Sequence, residues 1–306
     1  MLNFLPGFLV GLIATSLLIL NILVWITPLM TLAFIKVLLP FTLVRKLLDP
    51  FLVGIAEMWI SCNKGWMNLT QKVKWDVQGL GTLNPKGWYL VNSNHQSWVD
   101  ILVLQYVLNR RIPLLKFFLK QELIRVPLMG MAWWALDFPF MKRYSKEYLD
   151  KHPEMKGKDI ETTRKACEKF RLIPTSVMNF LEGTRFTETK HARQNSPYKH
   201  LLKPKAGGIA FAINAMGDQF DCLLNVTIVY PDGIPSFVDF LLGKMHKVTM
   251  RIEEVAIPEH FPKGDYTNDP AFREEFQNWV QTLWEEKDQQ LDLLKNGQST
   301  EVQKTA

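Results

Sequence analysis

The first 35 residues carry no ionisable side chain; the first positive charges are Lys36, Arg45 and Lys46. A run of that kind restricts the chain to few solutions. A bilayer core about 30 Å thick is crossed by about 20 apolar residues, so the stretch exceeds one minimal span and falls short of two full ones. Pro28 offers a break, which predicts helices near 5–26 and 29–48. A secretory leader fits poorly, since no basic residue precedes the apolar stretch and no small-residue cleavage site closes it. Uninterrupted length favours membrane insertion over a buried core helix. The cations that follow place the rest of the chain on the cytoplasmic side, and a hairpin or re-entrant pair would leave both ends there. The expected organisation is an anchor over 1–48, a linker helix over 49–72, one domain over 73–294 and a polar, disordered tail over 295–306.

Beyond the anchor, apolar and polar runs alternate as strand and helix. Val73, Trp75 and Val77 alternate at period two, and 88–93 is an apolar run bounded by the turn-like Asn84-Pro85-Lys86-Gly87. Helical spacing follows over 98–109, then a strand over 112–119, a helix over 122–135 broken or begun near Pro127, and a strand over 138–142. A polar insertion leads to a charged helix over 159–171, a strand ending at Glu182, a helix near 207–216, and strands over 222–229 and 247–252. Asp269 caps a last helix opened by Pro270, with Phe272, Phe276, Trp279, Val280 and Leu283 on one stripe. The pattern is α/β: a mixed sheet flanked by helices, behind an N-terminal membrane-embedded helical hairpin.

Cys62, Cys167 and Cys222 show no CxxC or Cys/His ligand spacing and read as free structural thiols of a reducing compartment. Neither a zinc nor a Walker-type pattern is present, so no metal and no cofactor is expected. The net charge of +6 fits nucleic acid, an anionic membrane or an anionic substrate. The tryptophans are interleaved with apolar sequence rather than with Arg and Lys, which points away from nucleic acid and towards core and membrane-interface positions.

Two strings concentrate chemistry. In Asn94-His95-Gln96-Ser97-Trp98-Val99-Asp100, His95 falls in a strand-to-helix turn and Asp100 about a turn and a half into the helix, from where its carboxylate can reach back to the ring. A carboxylate on one ring nitrogen fixes the tautomer and leaves the other nitrogen free to take a proton from an attacking hydroxyl. The alternative is a pair of solvated or core-bonded residues. In Phe180-Leu181-Glu182-Gly183-Thr184-Arg185 the polar residues follow a strand, at the end where open α/β sheets place ligands. Gly183 allows close backbone approach and Arg185 offers a planar fork for phosphate. The alternative is a tight turn with a solvated Arg.

With these strings the chain resembles the membrane-bound glycerolipid acyltransferases of the PlsC, or 1-acylglycerol-3-phosphate acyltransferase, type. Members share an Asn-His-four residues-Asp block, here Asn94-His95 to Asp100, and a Phe-x-Glu-Gly-Thr-Arg block, here Phe180 to Arg185. Between them, Lys120-Gln121-Glu122-Leu123 with Pro127 and Gly130 matches a third block, and Phe138-Pro139-Phe140-Met141-Lys142-Arg143 a fourth. The resemblance covers about residues 73 to 230. The chain departs from the pattern at Trp134-Ala135-Leu136-Asp137, which lacks the usual glycine. It departs again at Asn225-Val226-Thr227, where threonine takes a proline site, as in the animal lysophospholipid and lysocardiolipin acyltransferases.

The resemblance implies an O-acyltransferase of phospholipid biosynthesis in a bacterial inner membrane, its catalytic domain facing the cytoplasm. His95, oriented by Asp100, would be general base on the free hydroxyl of a lysophospholipid, the sn-2 hydroxyl of 1-acyl-sn-glycerol-3-phosphate being the first choice. Acyl-CoA or acyl-carrier protein would be the co-substrate. Arg185, with Lys120 and Arg143 or Lys205, would hold phosphate, and Glu182, Gly183 and Thr184 would complete the binding site, Glu182 by orienting Arg185 or contacting glycerol. The stretch from Val126 to Phe140 is a candidate wall for the acyl chain. Other lysophospholipids as acceptors, a membrane-anchored thioesterase or hydrolase, and a silent scaffold are the rival readings.

Overall fold

Neighbouring residues in the central strands face opposite ways, and both ways are inward. In strand β2 (Tyr89–Ser93) every residue is buried; Val91 belongs to one apolar cluster and Leu90 to a second. The same split separates Met178 from Val177 and Leu224 from Leu223. A strand that is apolar on both faces belongs in a sheet covered by helices on both sides. The computed structural model, which describes residues 2, 4–141, 152, 170, 171 and 173–296, shows that sheet.

Besides β2, the sheet contains β1 (Lys74–Gln78), β3 (Leu115–Phe117), β6 (Ser176–Phe180), β7 (Cys222–Val229) and β8 (Lys247–Val255). The six strands lie in the order β1-β8-β7-β2-β6-β3. All pairings are parallel except β7 with β8. Because β2 is flanked by two parallel neighbours, with Ser93 opposite both Phe180 and Val226, the C-terminal ends of β2 and β6 coincide, and β7 runs on beside the following turn to Val229. A separate pair joins β4 (Leu119–Lys120) to β5 (Phe140–Met141).

Helices α3 (Val99–Leu108) and α4 (Met129–Ala135), with the N-terminal pair, cover one face. Helices α6 (Gly207–Met216) and α8 (Pro270–Lys295) cover the other. Two short helices, α5 (Glu188–Gln194) and α7 (Phe237–Leu241), lie in connections where the sequence offered too little periodicity to predict them. The Asp269 carboxylate does cap α8, accepting the N–H groups of Ala271 and Phe272.

The N-terminal helices differ from the expectation. α1 runs Gly7–Leu38 straight through Pro28, and α2 runs Thr42–Thr70 through Pro50. The break falls at Leu39 to Phe41, and the expected linker helix is the continuation of α2. Proline removes one hydrogen bond, but packing outweighs it: Leu29, next to Pro28, is fully buried where α1 and α2 pack together. α1 also packs on α4 and α7, and α2 on α3, so the pair lies along the domain. Lys36, one of the cations expected to mark the cytoplasmic side, is buried, with its ammonium 2.7 Å from Asp49 and also on Asp137, two residues past the end of α4. One cation thereby ties α1 to both α2 and the α/β half.

The expected strand over 112–119 is reduced to β3 and β4. The expected helix over 122–135 is a 3₁₀ turn at Gln121–Arg125 followed by α4. Pro127 and Leu128, the latter at φ 61°, separate the two. Gly130 is required here, because a Cβ would stand 2.1 Å from the Ile124 carbonyl oxygen. The expected helix over 159–171 lies, except for residues 170 and 171, outside the described residues.

Candidate active site

The turn after β2 is held from three directions. The Asn94 amide donates to the Ile228 carbonyl and accepts the Ile228 N–H, both at 2.9 Å, which pins it to β7. The Ser97 hydroxyl donates to the Pro235 carbonyl. The His95 carbonyl accepts the N–H of Phe186 at 2.7 Å, beyond the end of β6. The His95 ring lies flat on Phe180, with centroids 3.9 Å apart.

His95 Nδ1 is 2.8 Å from Asp100 Oδ2. The same oxygen accepts the N–H groups of Gln96 (2.6 Å) and Ser97 (2.9 Å), while Oδ1 accepts the Tyr230 hydroxyl at 2.6 Å. A carboxylate with four donors can only accept, so Nδ1 carries the proton and Nε2 is left as the basic nitrogen. Asp100 is 1% exposed and the His95 side chain 12%. Tyr230 is fully buried, and burial together with the Asp100 charge raises its phenol pKa well above the usual value. The hydroxyl therefore stays a donor.

Glu182 lies two residues past the end of β6, where the strand was expected to end, and is fully buried. Its Oε1 accepts the backbone N–H of His95 at 2.8 Å and its Oε2 that of Leu202 at 3.1 Å. The carboxylate thus joins the turn after β2 to the loop before α6, a part different from the expected contact with Arg185 or glycerol. Burial pushes its pKa up to about 8, against the pull of the two N–H donors and of Lys287. Lys287, from α8, is buried as well. Its ammonium donates to the Val226 carbonyl (2.6 Å) and the Thr227 hydroxyl (3.1 Å), and burial lowers its pKa to about 7. Thr227 is the residue at the family's proline site; its hydroxyl gives the lysine a partner that proline would lack.

Gly183 turns the chain at φ 65°, a conformation suited to glycine. Arg185 follows with its guanidinium 4.9 Å from the centre of the Trp98 ring, a cation–π contact that holds the planar fork. Lys190, on α5, donates to the Thr184 hydroxyl and the Arg185 carbonyl, both at 2.8 Å. Its pKa is lowered by burial first and then by the neighbouring charges of Arg185, Lys120 and Arg193. The sequence reading missed Lys190. It lies five residues past the recognised block, and only the docking of α5 brings it back.

A cavity of about 440 Å³ connects these parts. Lys120, Gly183, Thr184 and Arg185 line it together with His95, and apart from Asn63, Gln105 and Asn179 the rest of its wall is apolar. From the expected stretch come Met129, Ala132, Trp133, Leu136 and Phe138. The N-terminal helices add Leu18, Ile22, Trp59 and Ile60, which sequence gave no reason to assign to a site. Lys205 is exposed and its N–H donates to the Leu181 carbonyl. Arg143 lies outside the described residues.

The model of the Acyltransferase family matches residues 74–231, slightly more than half of the chain. The chain belongs to that family. The matched stretch runs from the start of β1 to just past Tyr230, and so contains both strings together with Lys120 and Lys190. Among similar proteins of the Acyltransferase family, a 1-acyl-sn-glycerol-3-phosphate acyltransferase gamma of Mus musculus is 27% identical over 80% of this chain and 61% of its own. The lysocardiolipin acyltransferase 1 of Gallus gallus is 26% identical over 79% and 63%. The chain thus spans about three-fifths of the length of these relatives. The crystal structure of the 1-acyl-sn-glycerophosphate acyltransferase PlsC from Thermotoga maritima shares the fold, with a TM-score of 0.54 at 18% identity over 94% of this chain and 98% of that one.

Proposed function

We propose that the chain transfers an acyl group from an acyl thioester, acyl-CoA or acyl-carrier protein, to the free hydroxyl of a lysophospholipid, and that the preferred acceptor is 1-acyl-sn-glycerol-3-phosphate. The observation that carries the reading is the combination in one cavity of a His95 ring whose Nδ1 is committed to Asp100, the cations Lys120 and Arg185, and a long apolar wall, with Lys190 behind Thr184 and Arg185 adding a third positive charge. His95 Nε2 takes the proton of the acceptor hydroxyl as its oxygen attacks the thioester carbonyl. The tetrahedral intermediate collapses with loss of the C–S bond, and the imidazolium returns the proton to the leaving thiolate. Asp100 stabilises the imidazolium between these steps. No enzyme nucleophile takes part, because the acceptor supplies its own.

The cations favour transfer to a phosphorylated acceptor over hydrolysis, since water requires no such group. They also favour a phosphomonoester, with two negative charges, over a phosphodiester. The threonine at position 227 and the similarity to lysocardiolipin acyltransferase support the second reading, acylation of a lysolipid with another head group. The apolar, partly exposed α1 supports a membrane location, and its lengthwise packing on the domain supports a hairpin with both ends on one side. We place that side in the cytoplasm of a bacterial cell, now on the charges of Arg45 and Lys46 alone. The deciding experiment offers the purified protein a panel of lysophospholipids with labelled acyl-CoA or acyl-carrier protein and identifies products by lipid mass spectrometry. Labelled phosphatidic acid as main product is expected; free fatty acid with no acylated lipid would overturn the reading.

A further inference from the structure

The wall of the cavity formed by residues 123–136 is apolar on its far side too. Leu123, Met129 and Trp133 face the cavity. On the outside stand Ile124, Val126, Met131 and Trp134, with exposures of 38, 37, 47 and 46%. They are four of the seven large apolar side chains that are exposed beyond the end of α2 among the described residues. Such concentration within eleven positions, on a protein with apolar residues to spare for burial, marks an interaction surface rather than scattered exposure.

The segment is also held rigidly in this pose. Leu128 sits at positive φ, the Gly130 N–H donates to the Val126 carbonyl at 2.8 Å, and the close approach of Gly130 to Ile124 admits no side chain. Its downstream end is fixed to α1 by the Lys36–Asp137 ion pair, and α4 packs on α1 directly. α1 is long and apolar enough to cross a membrane, and it exposes Ile19, Leu23, Val24 and Phe34 along its length. The outer face of 124–134 is therefore tied to a helix that itself seeks lipid. Its chemistry agrees: a tryptophan and the exposed Arg125 among aliphatic side chains suit the boundary between head groups and acyl chains.

We propose that residues 124–134 form a second membrane contact, made by the catalytic domain itself, so that one wall of the acyl cavity is immersed in the bilayer boundary from which the acceptor comes. The proposal rests on the membrane-enzyme reading above. It is tested on the full chain in vesicles of phosphatidylethanolamine and phosphatidylglycerol, with all three native cysteines replaced by serine. Single spin labels are introduced by Val126→Cys, Met131→Cys, Leu23→Cys on α1 and Lys199→Cys on the exposed loop before α6. Labels at 126 and 131 should collide with oxygen in preference to a water-soluble nickel chelate, as at 23 and unlike 199. Preference for nickel at 126 and 131, with oxygen preferred at 23, would overturn the proposal and leave the membrane reading standing. Preference for nickel at 23 as well would overturn both. In a second arm, Met131→Glu with Trp134→Glu should slow acylation of a long-chain acceptor in vesicles about tenfold, while a water-soluble short-chain acceptor reacts at the wild-type rate. An equal change with both acceptors, or no change, would overturn it.

Discussion

Replacing Asp100 by asparagine isolates the carboxylate's charge from its geometry. Oδ2 receives two backbone N–H groups besides the His95 ring, at 2.6 and 2.9 Å. An asparagine must therefore turn its carbonyl oxygen to that side, because an NH₂ there would face three donors. Its NH₂ then meets the Tyr230 oxygen, whose hydroxyl can rotate to accept. The ring tautomer survives, and the loss is the charge that stabilises the imidazolium. An opposite charge in contact shifts a titratable partner by about 1–3 pH units, and one unit is about 1.4 kcal/mol. The charge acts on the step in which the proton moves to the ring, so Asp100→Asn should lower kcat by about 10- to 10³-fold with little change in KM for either substrate. Asp100→Ala removes the ring's anchor as well and should approach His95→Ala, at the loss of about 10²–10⁴-fold typical of a general base. It should also unfold more readily, by about 1–3 kcal/mol for the buried donors left unpaired. Steady-state kinetics with purified protein, nitrogen-15 NMR of the His95 tautomer and thermal unfolding make the comparison. Asp100→Asn within twofold of wild type would refute the electrostatic role. Asp100→Asn as inactive as His95→Ala, with the proton moved to Nε2, would refute the amide orientation argued from the two N–H groups.

Arg185→Lys should retain part of the activity and Arg185→Ala much less, because lysine keeps the charge but loses the planar fork; a loss equal for lysophosphatidic acid and for neutral monoacylglycerol would deny a grip on acceptor phosphate. Lys190→Met should raise KM for a phosphomonoester acceptor several-fold more than for a phosphodiester one, and equal changes would remove Lys190 from the head-group site. Glu182 is neutral in the folded protein up to about pH 8, whereas the unfolded chain releases this proton near 4.5, so the folded state holds more protons between these values and its stability falls as pH rises through them. In Glu182→Gln that part of the fall in Tm should vanish, whatever the constant cost of an NH₂ facing a backbone N–H; an unchanged slope would place the titration elsewhere. Protease added to sealed right-side-out vesicles should spare the domain that begins at β1, and digestion as ready as in inverted vesicles would reject the cytoplasmic placement.

What sequence disclosed and what it hid divide along a physical line. His95 with Asp100, and Glu182 to Arg185, were legible because each set sits within one turn and its spacing survives folding. The buried strands were legible because an apolar run between turn residues has few other fates. Tyr230 lies 130 positions from the Asp100 carboxylate it serves; only the parallel register of β2 and β7 makes them neighbours. Lys190, Lys287 and the Leu202 N–H depend in the same way on how helices and loops dock. The anchor's share in the cavity was hidden for another reason. α1 is apolar on all sides, so its sequence does not distinguish the face that meets lipid from the one bearing Leu18 and Ile22. Pro28 misled because its local cost is fixed while the packing that overrides it is not visible in the chain.

The position of β1 at the edge of the sheet governs the order in which the protein can be assembled. β1 emerges directly after the N-terminal hairpin, yet its strand partner is β8, with Lys74 opposite Lys247. β2 likewise waits for β6 and β7. During synthesis, the most apolar part of the molecule is thus finished long before any strand of the catalytic half can pair. Loop closure over such distances is slow, and an apolar hairpin beside unpaired strand edges is prone to aggregation. On the membrane reading proposed above, early engagement of α1 and α2 with lipid would remove that hazard and leave a tethered chain that closes its sheet at the membrane surface when the last strand arrives. On that reading the hairpin would be a folding platform as well as an attachment, and a chain released before residue 247 would hold the turn after β2 without the edge that completes the sheet around it.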